Sequence, residues 1–191
     1  MDLAPPHAAT DRSRDISQPL DQLGPDETLK AESDQLRGTI ALSLLDRITG
    51  AVSESDTKLM KFQGIYQQDD RDLRDERRRQ KLEPAYQFMV RVRLAGGVCT
   101  SEQWLTLDAL AREHGGGTLR ITTRQTFQFH WVLKDSLRPL IQKLHTVLLD
   151  TVSACGDDAR GVMCSVDPHL SAVHAEVYDL AKRASDHAIP R

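Results

Sequence analysis

The 191-residue chain is long enough for one domain with a buried core, or for parts of two. Its net charge of -3 excludes a polycation that binds nucleic acid with its whole surface, so any anion site must be a local patch. With 39% hydrophobic and 28% charged residues, no apolar run of bilayer length and no apolar segment in MDLAPPHAATDRSRD, it reads as a globular cytoplasmic chain without a secretory signal or membrane span.

Residues 1–26 carry Pro5, Pro6, Pro19 and Pro25 among small and charged residues, and read as a disordered tail. From Glu27 to Ile48 the spacing of Leu29, Leu36, Ile40, Leu44 and Leu45 predicts helix, divided near Gly38. Ser53 to Gln68 leaves two readings open. Leu59, Phe62 and Ile65 fit one helical face, and Phe62 to Tyr66 fits a short extended run around Gly64. Residues 69–83 hold six acids and six bases. They cancel, which suits a solvated, ion-paired helix or loop, or a strap against another surface. Residues 27–85 thus form a helical, charged extension.

The alternation of Tyr86, Phe88, Val90, Val92 and Leu94 with Gln87, Met89, Arg91 and Arg93 predicts a strand. Thr100 and Gln103 form a capping box for a helix to about Arg112, with Trp104, Leu107, Leu110 and Ala111 as its apolar stripe. The triplet Gly115-Gly116-Gly117 leads into a strand and lacks the Lys-Ser/Thr of a phosphate loop. Two strands follow over Thr118–Leu133, joined at Arg124-Gln125. In the second, period two sends Phe127, Phe129, Trp131 and Leu133 to the core. Ser136 is expected to cap the next helix, with Pro139 in its first turn.

Residues 86–150 therefore predict an α+β unit: strand, helix, strand, strand, helix, with an antiparallel sheet covered on one face. A further domain is expected to start at 151, with a short strand over Gly161–Val166 and a helix over His169–His187. Too little follows for these to pack into, so the chain is expected to be part of a longer one.

The second face of the sheet collects Arg91, Arg93, Arg120, Arg124, Gln128 and His130, with Arg160 close to the following segment. Clustered guanidinium groups without acids call for an anionic partner, and their fork geometry suits carboxylates and oxyanions. A plain solvated surface is the alternative. The aromatic residues sit on the opposite, core face, which argues against nucleic acid. No G-x-S-x-G or HExxH occurs, and no metal site is legible. Cys99, Cys155 and Cys164 are scattered and odd in number. They suit small core residues better than a disulfide framework, and cannot alone hold an iron–sulfur cluster, which needs four thiolates.

Three segments carry a resemblance: GIYQQDDRDLRDERRRQKLEP (Gly64–Pro84), VRVRLAGGV (Val90–Val98) and LRITTRQTFQFHWVLK (Leu119–Lys134). ESDQLRGTI (Glu32–Ile40) and RGVMC (Arg160–Cys164) extend it. In these the chain resembles the N-terminal part of the siroheme nitrite/sulfite reductase family, in particular the hemoprotein component of NADPH-dependent assimilatory enzymes. The resemblance implies a ferredoxin-like half-domain and a subunit holding siroheme coupled to a [4Fe–4S] cluster, whose cysteine ligands lie beyond this chain. It implies multi-electron reduction of sulfite to sulfide, with electrons from NADPH through a flavoprotein α-component. By position in the motifs, Arg91 and Arg160 are expected to bind the substrate oxyanion. Arg93, Arg120, Thr122, Arg124, Gln128 and His130 are expected to hold siroheme carboxylates or line their site. Trp131 departs from the pattern, which leads one to expect a smaller residue after QFH. Two other readings remain: a ferredoxin-dependent sulfite or nitrite reductase, and a non-catalytic module that docks the flavoprotein. As a piece, the chain is expected to be catalytically silent.

Overall fold

A computed structural model describes residues 19–154, 161–165 and 167–189. Phe88 and Val90 on one strand, Val92 just beyond its end, and Phe127, Phe129 and Val132 on another are all buried, and they form the floor of the core. Those strands, β2 (Tyr86–Arg91) and β4 (Phe127–Val132), are the two central members of a four-stranded antiparallel sheet. β1 (Ile65–Asp69) pairs outside β2 and β3 (Leu119–Ile121) outside β4, giving the order β1-β2-β4-β3.

Helices α5 (Ser101–His114) and α6 (Lys134–Thr146) close the core with Leu107, Leu110 and Ala111 from one and Leu137, Leu140 and Leu144 from the other. Each fully buried side chain of this size contributes roughly 1.5–3 kcal/mol. The capping box forms as expected: Thr100 accepts from the Gln103 N–H while the Gln103 side chain accepts from the Thr100 N–H. The α+β unit and its covered antiparallel sheet are present.

Five expectations need correction. The sheet has a fourth strand, β1, because helix α3 (Glu54–Phe62) stops and the chain turns at Gly64 with φ +71°. Each reading of Ser53–Gln68 holds in part: Leu59 and Phe62 are helical, whereas Ile65 is not, and the extended run starts at Ile65 instead of Phe62. A side chain at Gly64 would collide with the carbonyl oxygens of Thr151 and Arg91, at 2.4 and 2.9 Å. Helix α6 begins at Lys134, so Ser136 lies inside it and Pro139 in the second turn. There the proline ring removes a donor that the helix would use.

Residues 161–165 form no strand, and the last helix, α7, spans Ala172–His187 with Ser171 as its cap. At the N-terminal end a 3-10 turn (Leu20–Gln22) and helix α1 (Pro25–Glu32) start before residue 27. The rest of the expected tail, residues 1–18, lies outside the described residues. Helix α2 (Ile40–Leu45) follows beyond Gly38, as the division there predicts. The charged stretch contains α4 (Arg74–Arg79) and satisfies much of its charge internally, with Arg74 gripping Asp69 through two hydrogen bonds.

The fifth correction bears on the site. Phe88 pairs with Val132 and Val90 with Phe129, so β4 carries one more residue than β2 in that interval. Such a bulge breaks the alternation. Trp131 takes it up with φ +55°, Val132 enters the core, and both Trp131 and Leu133 are left exposed.

Candidate functional site

The register sets three polar side chains in one row across the sheet. Arg91 on β2 is opposite Gln128 on β4, and Gln128 is opposite Arg120 on β3. Directly opposed residues share a face, with Cβ atoms about 4.5–5.5 Å apart. With its amide oxygen turned toward Arg91, Gln128 accepts from Arg91 Nε at 2.8 Å and Nη2 at 2.6 Å. Arg91 also donates through Nη1 to the Ala154 carbonyl at 3.2 Å. On the far side of Gln128, 3.3 Å away, is His130 Nε2. Burial lowers the pKa of His130, and the Arg120 and Arg91 charges lower it further, so the ring is held neutral.

Trp131 completes the row. Arg120 Cζ lies 5.7 Å from the centroid of its ring, within cation–π range. Sequence alternation misplaced this residue in the core. The available signal was the Gly triplet upstream, because Gly116 is where the ring lies.

Arg124 comes from the turn between β3 and β4, which is closed by Thr122 N–H to Thr126 O at 2.8 Å and Gln125 N–H to Thr122 O at 3.1 Å. Thr122 Oγ1 accepts from the Arg124 N–H at 3.2 Å. Arg124 Nη2 donates to Gly161 O at 3.0 Å, but its Nε is buried without a hydrogen-bond partner among the described residues. Gln87 Oε1, on the same side of β2 as Arg91, is the other such atom among the described residues. Buried orphaned donors are costly, and one on a guanidinium marks where an acceptor belongs. No salt bridge among the described residues engages Arg120 or Arg124.

The same turn holds the next segment. Gln125 Nε2 donates to Cys164 O at 2.9 Å, and its Oε1 accepts from Cys164 N–H at 3.2 Å, while Gly96 N–H donates to Val162 O at 2.9 Å. Gln125 is a positioning residue that the motifs did not single out. Arg160, assigned to the oxyanion from sequence, lies outside the described residues, as does Cys155. Arg91, Arg120, Gln128 and His130 are brought together, with Thr122 and Arg124 at the adjoining turn.

Arg93 is elsewhere. It forms a fork-to-fork pair with Asp150, Nε to Oδ1 at 2.9 Å and Nη2 to Oδ2 at 2.7 Å, and Nη1 reaches Ser185 Oγ and Asp186 Oδ1. The Asp150 hydrogen bond raises its pKa still further against the cost of burial. The expectation that no carboxylate neutralises the arginines therefore fails for this one.

Residues 79–147 match the nitrite/sulfite reductase ferredoxin-like half domain. The chain is similar to proteins named sulfite reductase [NADPH] hemoprotein β-component: 70% identical to that of Nitrosomonas europaea over 182 residues, 95% of this chain and 32% of the relative. Identity is 72% to that of Nitrobacter winogradskyi, again over 95% of this chain and 31% of the relative. Among solved structures, the NirA protein of Mycobacterium tuberculosis has a TM-score of 0.60 at 28% identity, covering 78% of this chain and 28% of that one. The chain spans about a third of the length of the curated relatives it matches.

Proposed function

We propose that this chain is the N-terminal part of an assimilatory sulfite reductase hemoprotein, acting in the cytoplasm on sulfite with electrons that originate from NADPH and arrive through a flavoprotein α-component. The observation that supports this best is the arginine face: Arg91, Gln128 and Arg120 in register, with the orphaned Arg124 Nε beside them. That donor set fits the carboxylates of siroheme. Bound there, siroheme coupled to a [4Fe–4S] cluster supplies the redox chemistry. The chain's three cysteines fall short of the four thiolates of such a cluster, so its ligands must come from outside these 191 residues.

Arg120, Arg124, Thr122, Gln128 and His130 hold and orient the cofactor's carboxylate edge. Arg91 and Arg160 bind the oxyanion and polarise its S–O bonds as oxygen leaves as water. Neutral His130 carries one exchangeable ring proton beside them. Arg93, occupied by Asp150 and Asp186, fixes the end of β2 instead of touching the ligand.

Identities of 70–72% to proteins named sulfite reductase [NADPH] hemoprotein β-component support this reading over a ferredoxin-dependent sulfite or nitrite reductase. The test is a split. In the siroheme-loaded enzyme of relative length, Arg91→Ala and Arg160→Ala are expected to reduce sulfite turnover far more than siroheme content. Equal loss of both would remove the oxyanion assignment.

A further inference from the structure

Gln128 is surrounded by groups of opposite demand. On one side are two donors of Arg91, 2.8 and 2.6 Å from its oxygen; on the other, His130 Nε2 lies 3.3 Å from the second amide atom. An amide offers an acceptor in one direction and a donor in the other, whereas a carboxylate has acceptors alone. The orientation that satisfies Arg91 puts the Gln128 NH2 against Nε2. That nitrogen must then be the acceptor, and the ring proton must sit on Nδ1.

We propose that Gln128 is a positioning residue that locks the Arg91 guanidinium in place and, through its amide NH2, fixes His130 as the neutral Nδ1–H tautomer. The part of this that concerns substrate rests on the reading of Arg91 as an oxyanion ligand. The charged groups bearing on the imidazole are Arg120 from β3 and Arg91 from β2, with no carboxylate of the described residues among them. Both oppose a second ring proton, and Gln128 supplies no negative charge to favour one. The side chain thus couples two functions across the row. It removes the rotational freedom of Arg91, and it decides which nitrogen of His130 donates.

The test is 15N NMR of the ring nitrogens in the histidine-labelled chain, with His130 identified by the signal lost in His130→Asn. Nε2 is expected to be pyridine-like and Nδ1 pyrrole-like at neutral pH. In Gln128→Glu, Nε2 is expected to become protonated, and the titration midpoint of His130 to rise by about 1 pH unit or more, the effect of an anion within contact distance. A pyrrole-like Nε2 in the unmodified chain would overturn the proposal without any variant. A midpoint and tautomer unchanged in Gln128→Glu would overturn it as well. No cofactor is needed for either measurement. A failure here therefore leaves the siroheme assignment standing, and a failure to bind siroheme leaves the tautomer result intact.

Discussion

The indole of Trp131 lies where a side chain at Gly116 would have to be: a Cβ there would stand 2.5 Å from Trp131 Cε3. The ring sits beneath Arg120 and next to His130, with ring centroids 6.1 Å apart in the latter pair. One glycine in the loop before β3 thereby decides the position of the outermost cation of the row.

Gly116→Ala is expected to push the indole off the loop and release Arg120, at a cost of about 1–3 kcal/mol, typical of overpacking. Trp131 fluorescence in a Trp104→Phe background reports it: a shifted emission maximum is expected. Unchanged emission would mean that the loop yields and the ring does not depend on this gap.

Arg93 gives the opposite expectation to the one drawn from sequence. Asp150→Ala leaves a guanidinium with only 16% side-chain exposure short of its main partner. A loss of about 2–4 kcal/mol is expected, somewhat below a fully buried pair because Asp150 itself is partly open. Urea denaturation measures it. A change below about 0.5 kcal/mol, the size usual for a surface substitution, would return Arg93 to the candidate ligands.

Asp56 is fully buried and accepts hydrogen bonds from the Thr39 N–H, Thr39 Oγ1 and Ser43 Oγ, which ties α2 to α3. Burial pushes its pKa up, but the hydrogen bonds from Ser43, Thr39 and Ser53 outweigh this and hold it below the ordinary value of 3.8. A depressed folded-state pKa gives stability that is present above the unfolded value and lost as pH falls through the folded one. Denaturation midpoints below about pH 4 are therefore expected to fall more steeply in the unmodified chain than in Asp56→Asn. Parallel curves would show that another carboxylate carries the acid sensitivity.

The sheet and its helices were legible because their signals are local. Period-two alternation marks β2 and β4, and the Thr100–Gln103 box marks the start of α5. The polar face was legible for the same reason, since alternate positions of a strand must share a side. What stayed hidden depends on contacts distant in sequence. Trp131 and Val132 exchange roles because β2 and β4 differ by one residue between paired positions, which no single strand reveals. Arg93 looks like Arg91 until Asp150 and Asp186 fold against it. β1 reads ambiguously because an edge strand that starts one residue after a turn glycine has only five residues to show its period. Segment 161–165 resembles a strand in composition, yet it is held by the side chain of Gln125 and the backbone of Gly96 instead of a ladder.

If the arginine face is a formed cofactor-carboxylate site, the 191-residue chain should take up siroheme unaided. After reconstitution, a Soret band that survives gel filtration is expected, and Arg124→Ala, which removes the orphaned donor, is expected to lose most of it. A chain that keeps no band, or an Arg124→Ala variant that keeps as much as the unmodified chain, would contradict the assignment.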